Sequence, residues 1–287
     1  MRTVADTLSV SRSQLHTRLR EGSRPRGRYQ KTEDAEKTED AELLASVRTL
    51  TDDRPTYGYR RIWALLNRRR ENAKLSRLNH KRIYRLMSQN GRLLQRYTGK
   101  PPGRAHDGQI ITIRPNLRWT SDGFGVACRD GQSVRVTFAL DTCDREVMSW
   151  VATTDGISGE MIRDLMLESV ERRFNDQQTS YLVEWLSDNG SCYGAHDTVS
   201  FAQSIGLVPC FTPVRSPQSN GMSESFVKTF KQDYVYVHDR PDAQSVLAQL
   251  PRWFEDYNDN HPHKALRMKL PREFIRSCNK PADNCPV

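Results

Sequence analysis

The sequence predicts a protein of mixed α/β class, in which a small all-helical domain precedes a mixed five-stranded sheet with flanking helices. Two patterns lead to this prediction. Residues 42–95 carry apolar side chains at helical spacing. Residues 118–235 contain five short β-branched or apolar runs, separated by turn residues and amphipathic stretches. Alternation of strands and helices in the second segment favours a sheet covered by helices.

The distribution of charge supports the same division. Residues 54–100 hold 14 Lys or Arg and one acidic residue, whereas residues 118–287 hold 18 Lys or Arg against 23 Asp or Glu. A basic module joined to a mildly acidic one is typical of a nucleic-acid-binding part and a metal-binding part. The alternative for the basic module is a merely solvated surface.

Residues 1–41 are interpreted as a partial helix-turn-helix-like segment followed by a linker. Leu15 and Leu19 share one helical face after Ser11, which is a suitable N-cap. Residues 21–41 are rich first in Arg and Gly and then in Lys, Glu and Asp, which favours a linker that becomes helical towards its end. Any short amphipathic helix has the same pattern, so this segment alone does not specify DNA binding.

Residues 42–95 are predicted to be a basic helical DNA-binding domain with three helices. Breaks fall at Pro55 and Gly58, and Asn90-Gly91 is a C-cap signal. Its aromatic residues are interpreted as core: Tyr57, Tyr59, Trp63 and Tyr84. Its best candidates for contacts with DNA phosphates or base edges are five basic residues: Arg60, Arg61, Lys81, Arg82 and Arg85.

Residues 96–117 are predicted to be a linker, and residues 118–235 a sheet-and-helix domain. Strands are predicted at 117–126, 133–140, 146–152, 181–186 and 207–211, and helices at 158–174, 196–205 and 220–234. Asp141 and Asp144 flank a predicted hairpin turn, and turn chemistry explains them.

Residues 236–287 are predicted to be a C-terminal helical extension and tail, with a helix at 243–257. His261 and His263 lie two residues apart without a Cys partner, which is poor spacing for zinc. A packing role or a contact with the DNA backbone is therefore favoured for both.

Three carboxylates occupy similar contexts. Asp122 follows Trp-Thr-Ser, Asp188 follows Trp-Leu-Ser and precedes Asn-Gly, and Glu224 lies in the last helix of the domain. Carboxylates supply the oxygen ligands that Mg²⁺ prefers. Two such ions about 3.5–4 Å apart can bind both the attacking and the leaving oxygen of a phosphoryl transfer. Together they predict a site for two Mg²⁺ ions acting on a phosphodiester. The alternatives are a type I′ turn for Asp188 and a solvated helix carboxylate for Glu224.

Residues near these carboxylates are predicted to contact DNA. Lys228 and Lys231 follow Glu224 at i+4 and i+7 on one helical face, where their charges suit DNA phosphates. Four polar or basic residues flank the second and third carboxylates and are predicted to bind DNA, to shape the loop or to cap the helix: Asn189, Arg215, Gln218 and Asn220.

These motifs resemble the Asp-Asp-35-Glu signature of retroviral-integrase-like recombinases, since 35 residues separate Asp188 from Glu224. The words Ser187-Asp-Asn-Gly190, Ser216-Pro-Gln-Ser-Asn-Gly221, Glu224-Ser-Phe and Lys231 are similar to those of bacterial insertion-sequence transposases encoded in two overlapping reading frames. The chain resembles the second-frame product over about residues 50–275. The resemblance implies a ribonuclease H-like integrase catalytic core over residues 118–235.

The resemblance also implies an activity. A transposase of this type cleaves the ends of its element and joins them to target DNA, with Asp122, Asp188 and Glu224 as catalytic residues and ligands of two Mg²⁺ ions, or of Mn²⁺ as a substitute. The implied partners are double-stranded DNA of the terminal repeats and the target, further copies of the chain in a homo-oligomer on DNA, and the first-reading-frame protein as a fusion or partner. A non-catalytic DNA-binding regulator or inactive remnant, and a ribonuclease H-like nuclease, are the alternatives.

No run of residues approaches the roughly 18 apolar residues of a membrane span, and the N-terminus has no apolar signal-peptide core. The six cysteines form no Cys-x-x-Cys pair. Reduced thiols and a cytoplasmic location are therefore expected. The resemblance to bacterial transposases implies that this location is bacterial and nucleoid-associated.

Overall fold

A computed structural model describes residues 33–95, 112–212 and 221–278, with residues 33–38 described by their backbone alone. Within the described residues, the chain divides into two units between Ser46 and Val47. The predicted helix-turn-helix-like segment within residues 1–20 lies outside the described residues. In the described part of the chain, no helix combines the length and the apolar character needed to cross a bilayer.

Three helices precede the sheet: α1 (Glu33–Asp53), α2 (Tyr59–Asn72) and α3 (His80–Gln89). The side chain of Asn79 caps α3 by accepting the N–H of Lys81 at 2.9 Å. Ile62 on α2 and Ile83 on α3 are completely buried. The helices α2 and α3 therefore pack through their apolar faces, and many of their basic side chains are left outside.

The prediction that four aromatic residues form the core of this module is right only for Tyr57, which is 2% exposed. Tyr84 is 39% exposed, and Tyr59 and Trp63 are half-buried. The ring of Tyr59 contacts those of Tyr84 and His80 at the surface of the module. Tyr84 is exposed because other residues of α3 occupy the buried face of that helix.

The sheet contains five strands: β1 (Arg118–Ala127), β2 (Ser133–Asp141), β3 (Val147–Thr153), β4 (Val183–Ser187) and β5 (Leu207–Phe211). Their order is β3-β2-β1-β4-β5. The β1–β2 and β2–β3 pairs are antiparallel, and the β1–β4 and β4–β5 pairs are parallel. The predicted fold class, with a mixed five-stranded sheet after an all-helical module, is confirmed.

Helices cover both faces of the sheet. One face packs against α4 (Gly159–Phe174), the single turn α5 (Ser191–Gly194) and α6 (His196–Ser204). The other packs against α7 (Gly221–Phe230), a π-helical turn (Lys231–Val235) and α8 (Ala243–Asn260), with α9 (Pro271–Cys278) beyond α8. The single helix predicted at 220–234 is therefore divided, because its backbone changes to π-helical hydrogen bonding at residue 231.

Polar contacts dock the three-helix module onto the segment that follows α7. Arg61 Nη1 lies 2.8 Å from Asp233 Oδ2 in the π-helical turn, and Tyr57 Oη lies 3.0 Å from His261 Nδ1. Arg54 also pairs with Asp256 of α8. His261 is 1% exposed, which gives it the predicted packing role. The basic module and the sheet domain are thus joined by buried polar groups as well as by the chain.

A buried ionic cluster lies at the turn between β2 and β3. Asp141 Oδ1 accepts the N–H of Cys143 at 2.7 Å, as turn chemistry requires. Turn chemistry alone is nevertheless an incomplete explanation, because Asp141 and Asp144 are both 0% exposed. Arg173 on α4 binds Asp144 through two nitrogens, at 2.8 and 2.9 Å, and Glu146 at 3.0 Å. The turn is therefore held to α4 by neutralised charge.

Replacement of Arg173 by leucine is expected to lower the free energy of unfolding by about 3–5 kcal/mol, because it leaves Asp144 as an unpaired buried charge and removes one of the two arginines that bind Glu146. Urea denaturation followed by circular dichroism measures this loss. The matched control is Arg129→Leu, whose partner Asp239 is exposed, and this variant is expected to stay close to wild type. Equal losses in both variants would contradict the role of the buried cluster.

Burial, together with the charge of Asp144, raises the pKa of Asp141 to about 7. An unfolded Asp titrates near a pKa of about 3.9, so between these values the native state binds more protons than the unfolded state. This group therefore stabilises the fold most below its unfolded pKa, and that contribution is lost as the pH rises through about 7. We expect Asp141→Asn to lose less stability than wild type between pH 5 and pH 8, measured by urea denaturation. Parallel losses would exclude Asp141 as the titrating group.

Candidate functional site

Strand β1 brings Asp122 to the face of the sheet that α7 covers. Alternate side chains of a strand point to the same side, so Thr120, Asp122 and Phe124 share one face. Thr120 Oγ1 lies 2.7 Å from Ser223 Oγ on α7, and the ring of Phe124 lies 5.7 Å from that of Phe230. Asp122 is thus half-buried between its own strand and α7.

Asp188 lies at the end of the neighbouring strand. Because β1 and β4 are parallel and Thr120 pairs with Leu186, Asp122 and Asp188 follow that pair by two residues on adjacent strands. Oδ1 of Asp188 accepts the N–H of Gly190 at 3.0 Å. The interpretation of this loop as a type I′ turn is wrong, because Gly190 has a φ of −58°.

Gly190 instead lies close to the side chain of Asp188. A Cβ at this position would lie 2.9 Å from Oδ1 of Asp188, which is closer than real Cβ atoms come. Asn189 also shapes the loop, since its Nδ2 donates to the carbonyl oxygen of Thr212 at 2.8 Å, just beyond the end of β5. These contacts hold Asp188 at the edge of the sheet.

Glu224 lies in the first turn of α7 and is exposed. Its charge reaches Asp122: burial raises the pKa of Asp122, and the negative charges of Asp188 and Glu224 raise it further, against the hydrogen bond from the Gly123 N–H. The three carboxylates of the sequence motif therefore lie within electrostatic reach of one another, although they come from two strands and a helix.

The donors suit a hard divalent cation, since all three are carboxylates and Mg²⁺ prefers oxygen ligands. Oδ1 of Asp122 accepts the Gly123 N–H at 2.7 Å, so this carboxylate is turned onto its own backbone. Among the described residues, no three His, Cys, Asp or Glu side chains are arranged to hold a metal ion directly. In this arrangement the three carboxylates are neighbours but do not form a completed set of metal ligands.

The two lysines that follow Glu224 differ in their surroundings. Lys228 is exposed near the end of α7. Lys231 begins the π-helical turn, and its Nζ lies 5.6 Å from the ring centroid of Phe124, two residues along β1 from Asp122. This contact places a positive charge beside the strand that carries the first carboxylate. Three other predicted DNA contacts lie outside the described residues: Arg215, Gln218 and Asn220.

In the three-helix module, Lys81 and Arg85 are exposed on α3, and Arg82 is half-buried. Arg60 is exposed on α2, and its Nε donates to the hydroxyl of Tyr59 at 3.1 Å. The sequence predicts a DNA contact for Arg61, but its guanidinium binds Asp233. The interaction gives Arg61 a docking role.

Four hydroxyl-bearing residues of the site were not identified from the sequence. Thr120 and Ser121 directly precede Asp122, and both are completely buried. Thr120 bonds to Ser223 on α7, and Ser121 Oγ lies 2.7 Å from the hydroxyl of Tyr193 on α5. Short hydroxyl residues beside the first and third carboxylates were the only available signal, and Ser and Thr are too common for that signal to be specific.

Three family models match the chain. An HTH-like domain matches residues 38–100, one integrase core domain matches residues 113–217, and a second integrase core domain matches residues 206–271. Together they span the three-helix module, the sheet and the helices α7 and α8.

Relatives and solved structures are similar to the chain as well. The transposase InsD for insertion element IS2A/D/F/H/I/K of Escherichia coli is 46% identical over 98% of this chain and 93% of its own length. The transposase InsD for insertion element IS2-9 of Escherichia coli (strain K12) is 46% identical over 98% of this chain and 91% of its own. A chain of the simian T-cell lymphotropic virus intasome in complex with PP2A regulatory subunit B56 gamma superposes with a TM-score of 0.49 and 14% identity, over 73% of this chain and 70% of that one. By the identity and coverage of the relatives, the chain belongs to the family of insertion-element transposases with an integrase core domain.

Proposed function

We propose that the chain catalyses Mg²⁺-dependent cleavage at the ends of an insertion sequence and then joins those ends to target DNA. Asp122, Asp188 and Glu224 are the proposed catalytic residues and metal ligands. The observation that carries the proposal is the proximity of the three, which come from β1, the end of the parallel strand β4 and the first turn of α7. Burial, together with the charges of Asp188 and Glu224, raises the pKa of Asp122. Membership in a family of transposases supports the same reaction.

Two Mg²⁺ ions, when bound, would neutralise charge at the attacking and leaving oxygens of the phosphodiester, and Mn²⁺ would substitute for them. The three carboxylates would hold and orient that site, and Lys228 and Lys231 would bind the adjoining DNA phosphates. Asp122 itself is half-buried.

The proposed reaction has two displacements at phosphorus. In the first, a water oxygen bonds to phosphorus and the bridging P–O bond breaks, which leaves a 3′-hydroxyl at the element's end. In the second, that hydroxyl loses its proton, its oxygen bonds to a phosphorus of the target, and the target's own 3′-oxygen leaves and takes up a proton. No side chain of the protein bonds to phosphorus in either step.

Double-stranded DNA is the proposed partner of the basic three-helix module. Lys81 and Arg85 on α3 are exposed, as contacts with phosphates or base edges require. Both the terminal repeats and the target have to be held during joining, so we propose a homo-oligomer on DNA. The first-reading-frame protein is a proposed fusion or partner, which would supply additional DNA-binding helices.

Replacement of Glu224 by glutamine is expected to reduce cleavage and joining at least about 1,000-fold, because it removes the charge of one proposed metal ligand while keeping the size of the side chain. Labelled DNA that carries the element's ends measures both steps, with Mg²⁺ and with chelator, for this chain and for its fusion to the first-frame protein. The control is Asp155→Asn, an exposed carboxylate after β3 that is expected to keep wild-type activity.

The same assay separates the alternatives. Metal-dependent cutting without joining would favour a nuclease of the same fold. Binding to the ends without any chemistry, in both the chain and the fusion, would favour a regulator or an inactive remnant. Full activity in Glu224→Gln would remove this residue from the proposed triad.

Replacement of Lys81 by alanine is expected to weaken DNA binding about equally for all sequences and to reduce the slope of log affinity against log salt concentration by about 0.9. The reason is that one phosphate contact and its released counterion are lost. Fluorescence anisotropy over a series of salt concentrations measures the slope. Lys264→Ala, an exposed lysine in the loop before α9, is the control. An unchanged slope in Lys81→Ala would place the DNA-binding surface elsewhere.

A further inference from the structure

Two buried hydroxyl pairs join β1 to two helices. One helix is α7, which contains Glu224, and the other is α5, which follows Asp188. Thr120 Oγ1 lies 2.7 Å from Ser223 Oγ on α7, and Ser121 Oγ lies 2.7 Å from Tyr193 Oη on α5. These two pairs are named the hydroxyl clasps. Because neighbouring side chains of a strand point to opposite faces, the sheet has one clasp on each side. One begins two residues before Asp122 and the other directly before it.

The clasp on the α7 side reaches the third carboxylate within one residue. Ser223 directly precedes Glu224, and Thr120 lies two residues before Asp122 on the same face of β1. Ser223 is 0% exposed, whereas the neighbouring Glu224 is exposed. Any shift of the start of α7 along β1 would therefore stretch this clasp and change the distance between Asp122 and Glu224.

The clasp on the α5 side reaches the second carboxylate through the main chain. The Tyr193 N–H donates to the Gly190 carbonyl oxygen at 3.0 Å, and the Gly190 N–H donates to Asp188 Oδ1 at 3.0 Å. Burial raises the pKa of Tyr193, so its phenol keeps its proton at neutral pH and can donate a hydrogen bond. The loop that carries Asp188 is thereby tied to the residue before Asp122.

We propose that the two hydroxyl clasps set the separations among the three carboxylates and thereby the affinity of the site for divalent cations. The inference rests on the proposed function, because it takes these carboxylates as metal ligands. Hydrogen bonds between hydroxyls are short and directional, whereas apolar contacts are not directional. Residues that orient metal ligands typically affect metal affinity or activity by about 10- to 100-fold. The clasp residues are positioning residues and do not touch the substrate.

A purely structural role makes a different prediction, and a double replacement separates the two. Removal of one hydroxyl leaves its partner buried and unsatisfied, which destabilises the fold whatever the role of the pair. Replacement of both partners by apolar groups of similar shape is nearly neutral for stability. The test variant is therefore Thr120→Val combined with Ser223→Ala.

The chain offers a matched control. Ser149 on β3 and Ser169 on α4 form another buried hydroxyl pair between a strand and a helix, with their oxygens 2.5 Å apart. Both residues also bond to the carbonyl oxygen of Leu165, within the opposite helical layer. Ser149→Ala combined with Ser169→Ala makes the same chemical change away from the carboxylates.

Three quantities are measured on the full chain: the melting temperature, Mn²⁺ binding without DNA by electron paramagnetic resonance, and the Mg²⁺ concentration that gives half-maximal cleavage. We expect the Thr120→Val, Ser223→Ala variant to melt close to wild type, to bind Mn²⁺ at least about tenfold more weakly and to need at least about tenfold more Mg²⁺. The single variant Thr120→Ser keeps a hydroxyl at this position and leaves Ser223 in place. It is expected to keep both the Mn²⁺ affinity and the Mg²⁺ requirement close to those of wild type. The serine control is expected to leave both unchanged.

Wild-type metal responses in a folded double variant would overturn the inference, as would equal weakening in the serine control. If the double variant does not fold, Ser121→Ala combined with Tyr193→Phe tests the second clasp by the same measurements and the same outcomes. Failure of the proposed function would give a different result. In that case the Mn²⁺ affinity of the wild-type chain would not be weakened by Glu224→Gln. Metal binding that depends on Glu224 but not on the clasps would leave the proposed function standing and remove only this inference.

Discussion

The pairing of β1 on both of its edges is the constraint on which the rest of the site depends. This strand is antiparallel to β2 and parallel to β4, and its pairing with β2 extends from Trp119 to Ala127. A strand with two partners cannot slip by one residue without turning its side chains to the opposite faces of the sheet. Asp122 therefore stays on the face of α7, and the parallel register keeps Asp188 beside it. The hydroxyl clasps act on a strand that is already fixed.

Carboxylates have opposite electrostatic surroundings at the β2–β3 turn and at the candidate site. At the β2–β3 turn, Arg173 neutralises the buried Asp144 and Glu146, so that end is stabilised by paired charge. At the candidate site, neither Asp122 nor Asp188 has an ion pair among the described residues, and burial together with the charges of Asp188 and Glu224 raises the pKa of Asp122. Carboxylates held together without compensation favour the binding of a cation. This contrast is the electrostatic basis of the proposed metal site.

The three-helix module is attached to the sheet domain next to α7, the helix that carries Glu224. Arg61 binds Asp233 in the π-helical turn, which continues directly from the helix that carries Glu224. The side chain of Asp233 is 1% exposed, so separating it from Arg61 would leave its charge unpaired in a low dielectric. The DNA contact proposed for α3 would thus be connected to α7 through packed, hydrogen-bonded groups. Arg61 serves the attachment of the module, whereas Lys81, the proposed DNA contact, is exposed.

The sequence by itself determined the elements and the fold class, because strand and helix periodicity depends on neighbours along the chain. It also singled out the three carboxylates through their spacing and flanking words, although their roles remain proposals. Tertiary structure alone decided which groups meet. The partner of Arg61 is 172 residues away, and the Thr120 hydroxyl finds its partner 103 residues away. No local pattern encodes such distances, since they arise only when the two faces of the sheet are packed.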